Sequence, residues 1–173
     1  FRHQSGRRPV DIVLSGVNDG YNAGMAVHYS GTVGAAMEGA LNHLRAMAVS
    51  IHHHADQAMI NHLAQYAIQV AEQYAQADTP THTVLNINAP CLAPEQLLPP
   101  VYAPLDTGNF IDGYERRQSP RAGTYFWLLE GSKTEPPSEG TDLYYLSRGH
   151  ITLTLLGNPV SLDKATWDGL NIG

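Results

Sequence analysis

The sequence predicts an α/β fold built on a mostly parallel sheet, and three observations predict it. Apolar runs open at Val10, Ala46 and Thr83, about 36 residues apart. Between them lie two stretches with apolar residues at spacings of three and four. Strand and helix alternating at this interval is the pattern of right-handed βαβ crossovers. The third observation is a change at Pro90, beyond which proline and glycine become frequent and strand-like runs replace the helical period.

With 173 residues, 43% hydrophobic and 15% charged, the chain has material for a sizeable core and the length of one domain. We read 1–173 as a single domain, with an α/β core part at 10–90 and a β-rich excursion or oligomerisation arm plus C-terminal segment at 91–173. Residues 10–14 form a strand that enters a loop at 15–24, which holds three glycines and two asparagines. A helix follows over 31–44, with Val33, Met37, Ala40, Leu41 and Leu44 on one face. Gly34 and Gly39 lower its propensity, which close packing against a neighbour offsets. Residues 46–51 are a second strand. Residues 56–77 are a second helix, with Asp56 as N-cap and Ile60, Leu63, Ala67, Val70, Ala71 and Tyr74 as the buried stripe. A third strand spans 83–88. In the tail, 125–129 and 150–156 are the clear strands, and 131–140 is a polar loop. No internal repeat is evident.

Several function classes are excluded early. Ten lysines and arginines against 16 aspartates and glutamates give a net charge of −6, which argues against a binder of long nucleic acid. No apolar run reaches the roughly 18 residues of a membrane span. Cys91 is the only cysteine, so neither an intrachain disulfide nor a cysteine-built zinc site exists, and the cytoplasm is the expected compartment. The opening Phe1-Arg2-His3-Gln4 has neither Met nor an apolar leader, and reads as a protein lacking its N-terminal segment.

In open parallel sheets ligands bind at the carboxyl ends of strands. Residues 15–24 lie at such an end, and Tyr29-Ser30-Gly31-Thr32 then opens a helix. Free N–H groups, the helix dipole, two hydroxyls and an unobstructed glycine suit that turn to an anion. The competing reading is that Ser30 or Thr32 simply caps the helix. Asn18 and Asn22 are either turn formers or amide donors to a hard cation, with Asp19 the one carboxylate nearby in sequence.

The order Ser15-Gly16-Val17-Asn18-Asp19-Gly20-Tyr21-Asn22-Ala23-Gly24 resembles the S-G-[IV]-N-x-G-x-N-x-G loop of the SurE (stationary-phase survival protein) family. Tyr29-Ser30-Gly31-Thr32-Val33-Gly34-Ala35-Ala36-Met37-Glu38-Gly39 resembles the same family's Y-S-G-T-V-G-A-A-x-E-G motif. Leu85-Asn86-Ile87-Asn88-Ala89-Pro90 and Gly140-Thr141-Asp142 are weaker echoes. The resemblance implies a Rossmann-like three-layer core and a C-terminal arm exchanged between subunits of a homodimer or homotetramer. It implies a 5′/3′-nucleotidase: a phosphomonoesterase that needs a divalent cation, Mg²⁺ or Mn²⁺, and acts on nucleoside monophosphates and on short polyphosphate. Carried over by position, Asn18 matches the metal-ligand asparagine. Ser30, Gly31 and Thr32 match the phosphate-binding turn, and Asn22 lines the same pocket. The family's paired aspartates, in an Asn-Asp-Asp-Gly segment, have no counterpart here, so no catalytic residue is assigned and this chain is expected to be inactive. The alternative is a non-catalytic nucleotide- or phosphate-binding oligomeric protein.

Other features read as bystanders. Side chains alternate along a strand, so His52, His53 and His54 are expected not to converge but to sit in a solvent-side loop, with His62 too far along to share an ion. Asp142 and His150 do not make a hydrolase triad with Ser15 or Ser30, because neither serine has a Gly-x-Ser-x-Gly elbow. Asp142 instead starts a short turn or helix. Trp127 and Trp167 read as packing or subunit-contact residues, and Cys91 lacks a basic neighbour to activate it.

Overall fold

The computed structural model describes residues 10–157, apart from 79, 81, 109, 110 and 131–135. Its central sheet follows from the three apolar runs: β1 (Ile12–Asp19), β2 (Arg45–Ile51) and β3 (Thr83–Ala89) pair in parallel. The helices α1 (Gly31–Leu41) and α2 (Gln57–Tyr74) are the crossovers between them. The sheet order is β1-β2-β3-β7-β4, where β4 is Leu98–Tyr102 and β7 is His150–Gly157. β7 runs antiparallel to β3, and every other pair in this sheet is parallel.

Alternation along β2 and β3 sorts the two faces. Met47, Val49, Leu85 and Ile87 meet Leu63, Ala67 and Tyr74 of α2. Ala46, Ala48 and Val84 meet Val33, Ala36 and Ala40 of α1. This second face is built of small side chains, so α1 lies close. Gly39 is where the closeness matters: an added Cβ would stand 2.9 Å from Val13 Cβ and Cγ2. Gly39→Ala should therefore lower stability by about 1 kcal/mol, overpacking outweighing the gain in helix propensity, as read by the urea midpoint. Both helices begin as expected. Ser30 Oγ accepts from Val33 N at 3.1 Å, and Asp56 Oδ1 accepts from Met59 N at 2.9 Å.

Four departures from the sequence reading have physical causes. β1 does not stop at residue 14 but runs to Asp19, because a register shift between Ser15 and Asn18 lets Asn18 pair with Ser50 and Asp19 with Ile51. α1 stops at Leu41, short of Leu44, where His43 takes a φ of 61° and turns the chain into β2. β4 was hidden by Pro99 and Pro100, which an edge strand tolerates because one side needs no ladder bonds. β5 (Ile111–Ser119) was also missed, and pairs with β6 (Gly123–Glu130) as a separate two-stranded sheet. The division at residue 90 thus does not follow the sheet. β4 and β7 belong to the core, and within the described residues the excursion narrows to the β5–β6 hairpin. Trp127 lies on that hairpin, 53% exposed, while Trp167 lies outside the described residues. Among the described residues no helix is long and apolar enough to cross a membrane.

Candidate functional site

The carboxyl ends of β1, β2 and β3 lie side by side, and the segment from Gly20 to Thr32 folds over them. Gly20 N donates to Ile51 O at 2.7 Å, which fixes where the chain leaves β1. Asn18 Nδ2 donates to Gly20 O at 2.8 Å, and its Oδ1 accepts from Thr32 Oγ1 at 3.1 Å. The strand end and the helix start, 14 residues apart in sequence, therefore touch through the two side chains that the motifs singled out. Gly31 stands in open space: a Cβ there would meet nothing within 4 Å. Its N–H belongs to the first turn of α1, where no intrahelical acceptor exists, so the turn offers donors to an approaching anion. Ser30 takes the capping role weighed for it, and its hydroxyl oxygen serves Val33 N.

Asn22 does something different from lining an open pocket. It is buried, and its Nδ2 donates to Ser50 Oγ at 2.7 Å. Its backbone N donates to Asn88 Oδ1 at 2.8 Å, and its carbonyl accepts from Asn86 Nδ2 at 2.7 Å and Asn88 Nδ2 at 3.1 Å. All four bonds point down into the sheet, so Asn22 pins the loop to β2 and β3. Ser50, Asn86, Asn88, Thr152 and Thr154 form a buried polar layer beneath it. Sequence reasoning had not assigned Asn86 and Asn88 a role. The signal was there: asparagine is depleted in strands, and two in one buried strand need partners that only a crossing backbone supplies.

Asp142 anchors the same segment from the other side. At the start of α3 (Asp142–Leu146), its fully buried carboxylate accepts from Gly24 N at 2.7 Å, Asp106 N at 2.8 Å and Leu143 N at 2.8 Å. Burial raises its pKa above the ordinary carboxylate range, against the lowering effect of those three N–H groups. The short 3₁₀ turn Gly24–Tyr29 starts at this anchor and delivers Ser30 to the head of α1. Gly24 has a φ of 53°, and a side chain there would meet Leu143 Cδ1 at 2.8 Å and Asp106 O at 3.1 Å.

The histidine run forms a turn after β2, as expected, but its rings do come together. His52 stacks on His53 with centroids 4.3 Å apart, and His53 lies 4.0 Å from His54. The Tyr21 ring meets His52 edge-on at 5.1 Å. Burial lowers the His52 pKa, helped by His53 and His54 and opposed by Asp19. Burial, with a push from Cys91, raises the Tyr21 phenol. Cys91 Sγ donates to His54 O at 3.3 Å and so is a bonded side chain.

A hard divalent cation takes about six oxygen donors and is anchored by carboxylates. Asn18 Oδ1 and Thr32 Oγ1 supply two oxygens here, yet among the described residues no three His, Cys, Asp or Glu side chains are placed to hold a metal. These residues alone do not complete a cation site.

Comparison with known proteins adds a family to this geometry. The sequence model of a family described as Survival protein SurE matches residues 2–106. A protein of Pelobacter propionicus named 5′-nucleotidase SurE is 32% identical over 162 residues, covering 94% of this chain and 64% of the relative. A protein of the same name from Rhodopirellula baltica is 36% identical over 148 residues, covering 86% and 58%. The chain thus spans about three fifths of the length of such relatives. The crystal structure of the SurE protein from Aquifex aeolicus superposes with a TM-score of 0.73 at 25% identity, over 92% of this chain and 64% of that one.

Proposed function

This chain belongs to the SurE family, and from that premise we propose that it is the phosphate-binding part of a nucleotidase acting on nucleoside 5′-monophosphates. The observation that carries the reading is the bond between Thr32 Oγ1 and Asn18 Oδ1, which joins the anion-binding turn to the strand end where the family resemblance puts a metal ligand. Gly31 and Thr32 offer the phosphate open N–H groups, the Thr32 hydroxyl serves it once its proton turns away from Asn18, Ser30 holds the turn as its cap, and Asn22 fixes the loop. Activity on 3′-monophosphates and short polyphosphate, and a cytoplasmic location, belong to the same proposal.

The cation, Mg²⁺ or Mn²⁺, would polarise the phosphoryl oxygens and acidify an attacking water. Asn18 is the residue of this chain that would touch it. Because the 173 residues contain no adjacent pair of aspartates, the chain by itself is expected to bind AMP without turning it over. Phosphate release from AMP with Mn²⁺ is the check, and robust turnover by the purified chain refutes the expectation. In protein that carries the family's paired aspartates, Asn18→Ala should lower Mn²⁺-dependent turnover by about 100-fold. An unchanged Mn²⁺ titration removes Asn18 from the site. Thr32→Val should weaken AMP binding about fivefold, the worth of one hydroxyl hydrogen bond, and a variant with unchanged affinity assigns Thr32 to the helix alone.

The second reading, a non-catalytic phosphate-binding protein, is favoured by the absence of a three-ligand metal cluster among the described residues. The same assay decides between the two once the paired aspartates are supplied: turnover supports the enzyme, and binding without turnover the alternative. For the partner, a second copy of the chain fits the exposed Tyr114, Phe126 and Trp127 on the β5–β6 hairpin. Sedimentation should then give a homodimer or homotetramer, and Phe126→Asp with Trp127→Asp should shift it toward monomer.

A further inference from the structure

The histidine turn is the feature the phosphate reading leaves unused, and it stands at the same end of the sheet as the phosphate turn. Asn18 pairs with Ser50 across β1 and β2, and His52 lies two residues beyond Ser50, about 7 Å farther along the strand direction. Tyr21 directly follows Gly20, whose N–H is fixed to Ile51 O, so Tyr21 and His52 leave the sheet side by side. Four rings are gathered there: Tyr21 edge-on to His52, His52 stacked on His53, and His54 against both histidines at 5.3 and 4.0 Å. His53 and His54 are exposed, while Tyr21 and His52 are half-buried and brace them.

We infer that the ring ledge of Tyr21, His52, His53 and His54 is the nucleobase subsite, on which the base of a nucleoside monophosphate stacks while its phosphate occupies the turn at Gly31 and Thr32. The inference rests on the phosphate reading of that turn. Two observations set the direction of the ligand. The first turn of α1 stands open at Gly31 and its N–H groups take the phosphate, which leaves the ledge to the other end of the ligand. The flat π-faces of the ledge suit an aromatic base, which stacks without needing a particular hydrogen-bond pattern. The ribose then bridges the ledge and the turn. The ledge does not form a metal cluster, although it is rich in imidazole.

The test compares AMP with ribose 5-phosphate, which carries the same phosphate and sugar but no base, on the 173-residue chain by NMR. AMP should move both the Thr32 amide signal and the histidine ring signals, and bind about tenfold more tightly than ribose 5-phosphate. Ribose 5-phosphate should move the Thr32 amide alone. The double variant His53→Ala with His54→Ala, at exposed positions, should reduce AMP affinity to that of ribose 5-phosphate and leave the latter unchanged. Equal affinity of the two ligands, or equal weakening of both in the variant, overturns the base subsite and leaves the phosphate reading standing. Ring signals that answer Zn²⁺ but not AMP overturn it in favour of a metal. A Thr32 amide indifferent to both ligands overturns the phosphate reading and this inference together.

Discussion

Gly16→Ala should cost roughly 3 kcal/mol or more of folding stability, read as a fall in the urea midpoint, and should weaken AMP binding in whatever fraction remains folded. Gly16 has a φ of 129°, a conformation side chains rarely adopt. A Cβ there would fall well inside contact distance of the Val49 carbonyl oxygen and 3.3 Å from Asn18 N. Neither neighbour is a flexible side chain that can turn aside. The only relief is to pull β1 away from β2, and that movement displaces Asn18 from its pairing with Ser50 and its bond to Thr32. A variant within 0.5 kcal/mol of the parent, inside the usual range for neutral surface changes, would show that β1 does not pass so close to β2.

Asp142→Ala should be nearly as damaging, by about 3 kcal/mol, because it leaves the buried N–H groups of Gly24 and Asp106 without their acceptor. Asp142→Asn tests the charge separately. Burial raises this carboxyl above its ordinary 3.8, so the folded chain still holds the proton at pH values where the unfolded chain has released it. Stability contributed by this group therefore grows as the pH falls toward the ordinary carboxylate value, and is lost as the pH rises through the raised one. The parent should gain on Asp142→Asn as urea melts are moved from neutral to about pH 4. Parallel pH profiles for the two proteins would show that Asp142 is not perturbed. At neutral pH both variants should also weaken AMP binding, since the segment from Gly24 to Tyr29 hangs from Asp142 and carries Ser30 at its far end.

Much of this site was legible because its residue types answer local rules. An apolar run with a helical stretch after it gives β1–α1–β2 wherever it occurs, and Ser30 or Asp56 before an apolar helix is a cap by chemistry alone. That Asn18 and Thr32 share a site was implied by the family resemblance, and their contact has a simple cause, since a parallel strand end faces the head of its crossover helix. What stayed hidden depends on partners distant in sequence. Nothing near Asn22 reveals that its backbone is held by Asn86 and Asn88, 64 and 66 residues away. Nothing near Gly24 reveals Asp142, 118 residues on. β7 reads as part of the tail until its pairing with β3 puts it inside the sheet, and Pro99-Pro100 mask β4 because prolines are informative only once the strand is known to be an edge. The histidine rings were expected not to converge, by an alternation that holds only along a strand, but the chain leaves β2 at Ile51 and the turn brings them together.

The bonds around Asp106 have a consequence for how the molecule can be re-engineered. Its carboxylate accepts from Ser138 N at 2.9 Å and Thr141 Oγ1 at 3.1 Å, and Asp142 N donates to Pro104 O at 2.9 Å. The two feet of the excursion between β4 and α3 are thus clasped at ground level, before the β5–β6 hairpin begins. The clasp gives the sheet a footing separate from the hairpin, and its bonds should survive when the hairpin is cut out and replaced by a few glycines. The arm is built like a handle, on a neck that fastens itself to the core.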